Sequence, residues 1–310
     1  MKKALISAPY LQNDISLFTE ELVEKGIDYT VYPVRERMEE DELLEHLPYY
    51  NGIICGDDRI TKKVIDACPD LKVIVKWGTG IDSIASEYAQ SKGIPVKRTP
   101  NAFSEPVSDS VLGMMLVYAR RILDSDRMMK QGEWAKTPGF CLEEQVLGII
   151  GLGDVGTAVA RKAKAFGIKI LAYDIKDMQE ENHEQIGVEM VSLDRLLNES
   201  DYVSVNCDLN PSSKFIINKE SLSQMKSSAI LINTARGPLV KEVDIIEALQ
   251  SGIIAGAGLD VFEEEPLPKN SPLRSMNNVL LSSHNVNVSP LYWNKVHRNS
   301  LNMLFEGLGL

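Results

Sequence analysis

What this 310-residue sequence has little of narrows its class first. It has four cysteines, Cys55, Cys68, Cys141 and Cys207. They are widely spaced, with no Cys-x-x-Cys pair and no metal-ligand pattern, which argues against a disulfide scaffold or a bound metal and suits a reducing cytoplasm. No apolar run reaches membrane-spanning length. The opening Met1-Lys2-Lys3-Ala4-Leu5-Ile6 superficially resembles a secretion signal, but Pro9, Gln12, Asn13 and Asp14 cut its apolar segment short, so it reads as a first strand. Positive charge is also scarce. The 33 lysines and arginines stand against 44 aspartates and glutamates, a net charge of −11, which argues against nucleic acid or an anionic membrane as the main partner.

What remains is an ordinary globular composition, 44% hydrophobic and 25% charged, on a chain long enough for two domains. In the first hundred residues, strand candidates at 4–7, 29–31, 52–55, 73–75 and 95–97 alternate with segments of helical spacing near 14–25, 40–47, 61–67 and 83–91. That alternation implies a parallel sheet with helices on its faces. A long helix is expected from Ser104 to about Arg121, with Pro106 tolerated in its first turn. The second block holds six strand candidates: 146–150, 169–173, 202–206, 229–233, 256–260 and 279–283. Six is the number of a complete doubly wound fold. A final helix is expected over 290–308. The reading is α/β: two doubly wound parallel-sheet domains, one of residues 1–98 plus 288–310 and one of 99–287.

The most informative motif is Gly151-Leu152-Gly153-Asp154-Val155-Gly156, which follows the apolar run 146–150. Gly151 permits a tight strand-to-helix turn, and Gly153 lets backbone amides approach a pyrophosphate. Gly156 lets the helix pack closely on the strand. Val155, Val159, Ala163 and Phe166 recur at helical spacing, Gly167 sits where a C-cap belongs, and the next strand ends on Asp174, placed to hold a ribose diol. The pattern implies a bound dinucleotide, and the acid implies NAD rather than NADP, because a 2′-phosphate would meet its charge.

Polar residues recur where the other strands of this block end: Cys207, Thr234 with Arg236, Asp260 and His284. In open parallel sheets ligands bind outside the carboxyl ends of the strands, so these residues should share one crevice. A free histidine titrates near neutrality, which makes His284 the natural proton carrier. Glu265 is the carboxylate to favour its charged form and fix its tautomer. Arg236 can grip a carboxylate through two charge-assisted bonds. Hydride transfer at a carbinol beside a carboxylate needs these roles.

Several motifs in order, Lys76-Trp77-Gly78-Thr79-Gly80-Ile81-Asp82, Thr99-Pro100-Asn101, the glycine fingerprint, Asn233-Thr234-Ala235-Arg236-Gly237, and Gly258-Leu259-Asp260-Val261-Phe262 with Glu265-Pro266, resemble the D-isomer-specific 2-hydroxyacid dehydrogenases. Within that family the chain is similar to the phosphoglycerate-dehydrogenase type, without the regulatory extension of longer relatives. The resemblance implies a Rossmann NAD-binding domain, a flavodoxin-like substrate domain and a homodimer. It implies Arg236, Glu265 and His284 as the catalytic set, with Arg236 anchoring the substrate carboxylate. Cys207 and Asp260 would lie against the cofactor, and the backbone around Thr79, flanked by Lys76, Gly78 and Gly80, would face a 2-hydroxy or 2-oxo acid.

The chain departs from the family at Asn285, Asp208 and Asp154. The stretch Gly56-Asp57-Asp58-Arg59 is acidic where a phosphorylated substrate wants basic residues, with Lys76 and Arg59 as the compensating cations. His46, His183 and His297 read as surface or packing residues, Trp77 as packing beside the substrate loop, and Trp134 and Trp293 as core or interface. The rival reading is an NAD(H)-sensing, corepressor-like interaction protein on the same fold.

Overall fold

The computed structural model describes residues 1–176 and 186–310, so His183 lies outside the described residues. The chain divides into two compact units, Met1–Phe103 with Val288–Leu310, and Ser104–Asn287. Among the described residues no helix is long and apolar enough to cross a membrane.

The first unit holds β1 (Lys2–Ile6), β2 (Ile27–Val31), β3 (Gly52–Cys55), β4 (Val73–Lys76) and β5 (Val96–Arg98). They form one parallel sheet in the order β2-β1-β3-β4-β5, the flavodoxin-like winding. β3 and β4 are buried along their whole length, which is why they read as unbroken apolar runs. The two-residue period of a strand sorts their side chains. Ile54, Val73 and Val75 pack with Leu301, Leu304 and Phe305 of helix Pro290–Leu308, whereas Ile53 and Ile74 pack with Leu43, Val64 and Ile65 on the other face.

The second unit holds β6 (Val146–Ile150), β7 (Lys169–Tyr173), β8 (Val188–Met190), β9 (Tyr202–Val205), β10 (Ile230–Asn233), β11 (Gly256–Leu259) and β12 (Val279–Leu281). All pairs are parallel, in the order β12-β11-β10-β9-β6-β7-β8. This is the Rossmann winding with one strand more than the six read from sequence. The addition is β8, a three-residue edge strand in which only Val188 is buried, too short and too polar to stand out as a periodic run.

Helix Ser104–Ala119 stops earlier than expected and is followed by helix Ile122–Lys130, because Arg121 takes a left-handed conformation (φ 50°). Val111, Leu112 and Met115 share a core with Val159, Ala160 and Ala163 of helix Asp154–Lys164. Glu105 pairs with both Arg161 and Lys162 across the same contact.

Candidate functional site

In the second unit the strand order reverses between β6 and β9, and the glycine fingerprint occupies the turn leaving β6. Gly151 has φ +90°, and a Cβ there would sit 2.6 Å from the Cys207 backbone that leaves β9. A Cβ on Gly156 would strike the Gly151 carbonyl. Gly153, by contrast, is exposed at the N-cap of helix Asp154–Lys164, with nothing within 4 Å of where its Cβ would be. Two glycines therefore close the turn, and the third leaves its backbone approachable beside the positive end of the helix dipole. Asp154 is exposed in the first helical turn, and Val155, half-buried, packs against the core shared with Val159.

Asp174, at the end of β7, accepts from Leu152 N (2.8 Å) through Oδ2 and from Lys176 N (2.9 Å) through Oδ1. Each carboxylate oxygen keeps lone-pair capacity for a further donor, as a ribose diol requires. Cys207 lies half-buried against Gly151, and burial pushes its thiol up to about 11, so it is a neutral packing group at physiological pH. Thr234 Oγ1 and Asn206 Oδ1 are buried side-chain oxygens without a hydrogen-bond partner at the ends of β10 and β9. Buried polar atoms are rarely left so unless something else satisfies them. An approachable glycine, an oriented acid and two orphaned oxygens on one sheet edge fit a dinucleotide. Asn206 was missed in the sequence because an Asn after a strand carries no motif of its own.

The same edge carries the titratable pair. His284 Nδ1 lies 2.9 Å from Glu265 Oε2, and the other carboxylate oxygen accepts from Phe262 N at 3.0 Å. With the carboxylate facing Nδ1, the ring proton of the neutral form belongs there. His284 itself has φ +54°, a conformation unusual for a side-chain-bearing residue. Asp260 holds it there. The Asp260 carbonyl accepts from His284 N (2.8 Å), and its fully buried carboxylate accepts from Asn285 N (2.8 Å) and Val286 N (3.4 Å). In these contacts Asp260 is a brace for the histidine turn, and Asn285 takes part through its backbone.

Arg236 is half-buried in the turn after β10, where Asn233 Nδ2 donates to its carbonyl (2.9 Å) and its own Nη1 donates to Ala235 O (2.9 Å). A Cβ on the next residue, Gly237, would collide with the Phe262 carbonyl, so the arginine turn and the Phe262–Glu265 turn are packed backbone to backbone. The structure thus brings Arg236 beside the segment that supplies Glu265.

In the first unit, Lys76 ends β4 and the 78–80 loop follows. Thr99 N donates to Gly78 O (2.9 Å), Arg98 Nη1 donates to Thr79 O (2.9 Å), and Thr79 Oγ1 donates to Thr99 O (3.0 Å). In a planar trans peptide the N–H points opposite to the C=O. Pinning these two carbonyls therefore turns the Thr79 amide away from Thr99 and the Gly80 amide away from the Arg98 guanidinium. Backbone amides are suitable donors to a carboxylate or an oxyanion.

Of the cations read as compensating for the acidic stretch, Lys76 is held tightly and Arg59 only loosely. Lys76 is buried with its Nζ 2.8 Å from Asp57, and Arg59 Nε is 4.0 Å from Glu39. His46 packs on Tyr32, and Trp134 is 90% exposed, which rules out its place in a core.

A sequence profile of the D-isomer specific 2-hydroxyacid dehydrogenase NAD binding domain matches residues 112–285. Among relatives, a glyoxylate reductase of Korarchaeum cryptofilum is 40% identical over 238 residues, covering 75% of this chain and 71% of that one. A glyoxylate reductase of Thermofilum pendens is 39% identical over 251 residues, 79% and 74% of the two chains. Among solved structures, the D-lactate dehydrogenase of Aquifex aeolicus complexed with NAD and lactic acid matches with a TM-score of 0.89 at 26% identity, over 99% of this chain and 96% of that one.

Proposed function

We propose, from the premise that this chain belongs to the D-isomer specific 2-hydroxyacid dehydrogenase family, that it reduces a small, unphosphorylated 2-oxo acid such as glyoxylate or hydroxypyruvate to the 2-hydroxy acid, of D configuration where the product is chiral. The enzyme is an NAD-dependent oxidoreductase, and the nicotinamide supplies the hydride when NADH is bound. The observation that carries the residue assignment is the 2.9 Å His284–Glu265 contact on the sheet edge that bears the glycine fingerprint.

His284 gives the proton from Nε2 to the carbonyl oxygen as the carbonyl carbon is reduced. Glu265 stabilises the imidazolium and keeps Nδ1 protonated. Arg236 grips the substrate carboxylate, and the Thr79 and Gly80 amides are the substrate donors of the first unit. Gly151, Gly153, Asp154, Val155 and Gly156 hold the pyrophosphate through the turn and helix terminus. Asp174 takes the ribose diol, Thr234 offers its orphaned hydroxyl to the cofactor, and Cys207 and Asp260 line that side.

The absence of phosphate from the substrate is supported by the pairing of Lys76 with Asp57, which occupies the cation at the end of β4. We also propose a homodimer, supported by the exposed Ile122, Leu123, Met129, Trp134 and Phe140, a concentration of apolar surface on the segment 122–140. The free cysteines suit a reducing cytoplasm.

NADH oxidation measured against glyoxylate, hydroxypyruvate, pyruvate and 3-phosphohydroxypyruvate tests the reading. Glyoxylate or hydroxypyruvate is expected to lead, with kcat/KM for the phosphorylated acid lower by about tenfold or more. A preference for the phosphorylated acid overturns the substrate class. Tight NADH binding with no reduction of any of them supports the sensor reading instead.

A further inference from the structure

The last helix carries a buried histidine that this chemistry does not use. His297 is fully buried, and both its ring nitrogens are engaged within the first unit. Trp77 Nε1 lies 2.8 Å from Nδ1, and Asp14 Oδ2 lies 3.2 Å from Nε2. An indole N–H can only donate, so Nδ1 is the acceptor and bears no proton. The ring proton is on Nε2, donated to Asp14, and His297 is neutral. Burial holds its pKa below the ordinary histidine value, against the pull of Asp14, which agrees with that state.

Trp77 is the residue between β4 and the 78–80 loop. Its backbone N donates to Cys55 O at 2.9 Å, and its indole is walled by Tyr10, Phe103 and Trp293 at centroid distances of 5.1, 5.4 and 5.9 Å. Aromatic walls restrict where the indole lies but not the direction in which its one polar atom points. The His297 acceptor supplies that direction. Gly78 follows at φ +116°, and a Cβ there would meet Phe103 at 3.3 Å, so the first loop residue rests on the same wall as the indole.

We infer that His297 is a positioning residue for the substrate: by accepting from Trp77 it fixes the indole and, through it, the course of the 78–80 loop whose amides meet the substrate carboxylate. The inference rests on the 2-oxo acid reading above. It makes the Trp77–His297–Asp14 chain a support for substrate binding, remote from the hydride and proton transfers.

Two variants separate positioning from packing. His297→Leu keeps apolar bulk and deletes the acceptor, whereas His297→Asn sets an amide oxygen near the place of Nδ1. With the best 2-oxo acid, His297→Leu is expected to raise KM about tenfold, the scale of one buried hydrogen bond, while kcat and the Kd for NADH stay within about twofold. His297→Asn should recover most of that KM. Trp77→Phe added to His297→Leu should raise KM little further, since both remove the same bond.

A folded His297→Leu enzyme with unchanged KM overturns the inference, as does an equal KM rise in the Leu and Asn variants, the mark of a merely structural histidine. Should His297→Leu fail to fold, Trp77→Phe alone breaks the bond, and an unchanged KM there is equally fatal. If the wild-type enzyme reduces no 2-oxo acid, the substrate reading itself falls and the role of His297 with it. An active wild type beside an indifferent His297→Leu removes only the role of His297.

Discussion

Each of the two parallel sheets reverses its strand order at one place, and the two reversals are built in opposite ways. Between β6 and β9 the backbone is held open to a ligand: Gly153 has no neighbour where a side chain would be, and Thr234 and Asn206 hold unsatisfied oxygens on the same edge. Between β1 and β3 the corresponding place is filled from within. The Asp58 carboxylate, fully buried, accepts from Met38 N (2.6 Å), Gly56 N (2.7 Å) and Ser7 Oγ (3.1 Å). A Cβ on Gly56 would lie 2.8 Å from Pro9 Cδ. Topology marks both places as crevices. The side chains decide that one is open to a ligand and the other closes on itself.

If that contrast is right, the largest losses of activity come from the edge of the second sheet. His284→Ala should lower turnover by about two to four orders of magnitude, the usual worth of a general acid, with NADH affinity nearly unchanged. A stopped-flow measurement of hydride transfer beside a fluorescence titration of NADH checks both halves. A modest loss of turnover would move the proton donor elsewhere and break the comparison at its chemical end.

The cofactor end of that edge is sharpened by Asp174→Ala. If Asp174 accepts from ribose hydroxyls and repels a 2′-phosphate, as proposed, the wild-type enzyme should prefer NADH to NADPH. The variant should narrow that preference by about tenfold, read as the ratio of kcat/KM values for the two cofactors. A wild-type enzyme indifferent to the 2′-phosphate would show that the acid is held by Leu152 and Lys176 for structure alone.

How much of this was legible beforehand follows from how local each feature is. The fingerprint, the strand ends and the parallel character of both sheets could be read because their residues are neighbours in sequence or recur with a strand's period. β8 escaped because Val188, Glu189 and Met190 make an edge strand with one buried side chain. The helix break at Arg121 escaped because only its left-handed backbone marks it. Asp57 and Asp58 read together as one acidic stretch, yet one pairs with a buried lysine and the other is an internal hub. The Trp77–His297 bond joins residues 220 positions apart, and neither side chain announces a polar partner in an apolar run. The Glu265–His284 pair, 19 apart on adjoining turns, was suggested by chemistry before geometry confirmed the contact.

A smaller effect is expected where the titration is tuned. Glu265→Gln preserves the shape of the contact and removes its charge. If His284 is the proton donor, as proposed, its productive form in 2-oxo acid reduction is the protonated one, and a neighbouring carboxylate favours that form. Without it, activity should fall at lower pH, so the alkaline limb of the reduction profile moves in the acid direction while the maximal rate suffers less than in His284→Ala. An unmoved limb, with hydride transfer shown to limit the rate, would leave Glu265 a mere spacer.

The last test belongs to the closed crevice and should leave catalysis alone. All three groups on the Asp58 carboxylate are donors, and two are backbone amides that cannot turn round. In the Asp58→Asn variant the introduced amide can keep its oxygen toward Ser7 and Gly56, but its NH2 must then face the Met38 amide, donor against donor. A buried polar group stripped of its partner costs roughly 1–3 kcal/mol. Chemical denaturation should show that loss, whereas turnover and NADH affinity should stay within about twofold, because a filled crevice has no ligand to lose. If Asp58→Asn instead weakened substrate or cofactor at unchanged stability, the first sheet's reversal would be a working site after all, and the difference between the two sheets would lie in what they bind.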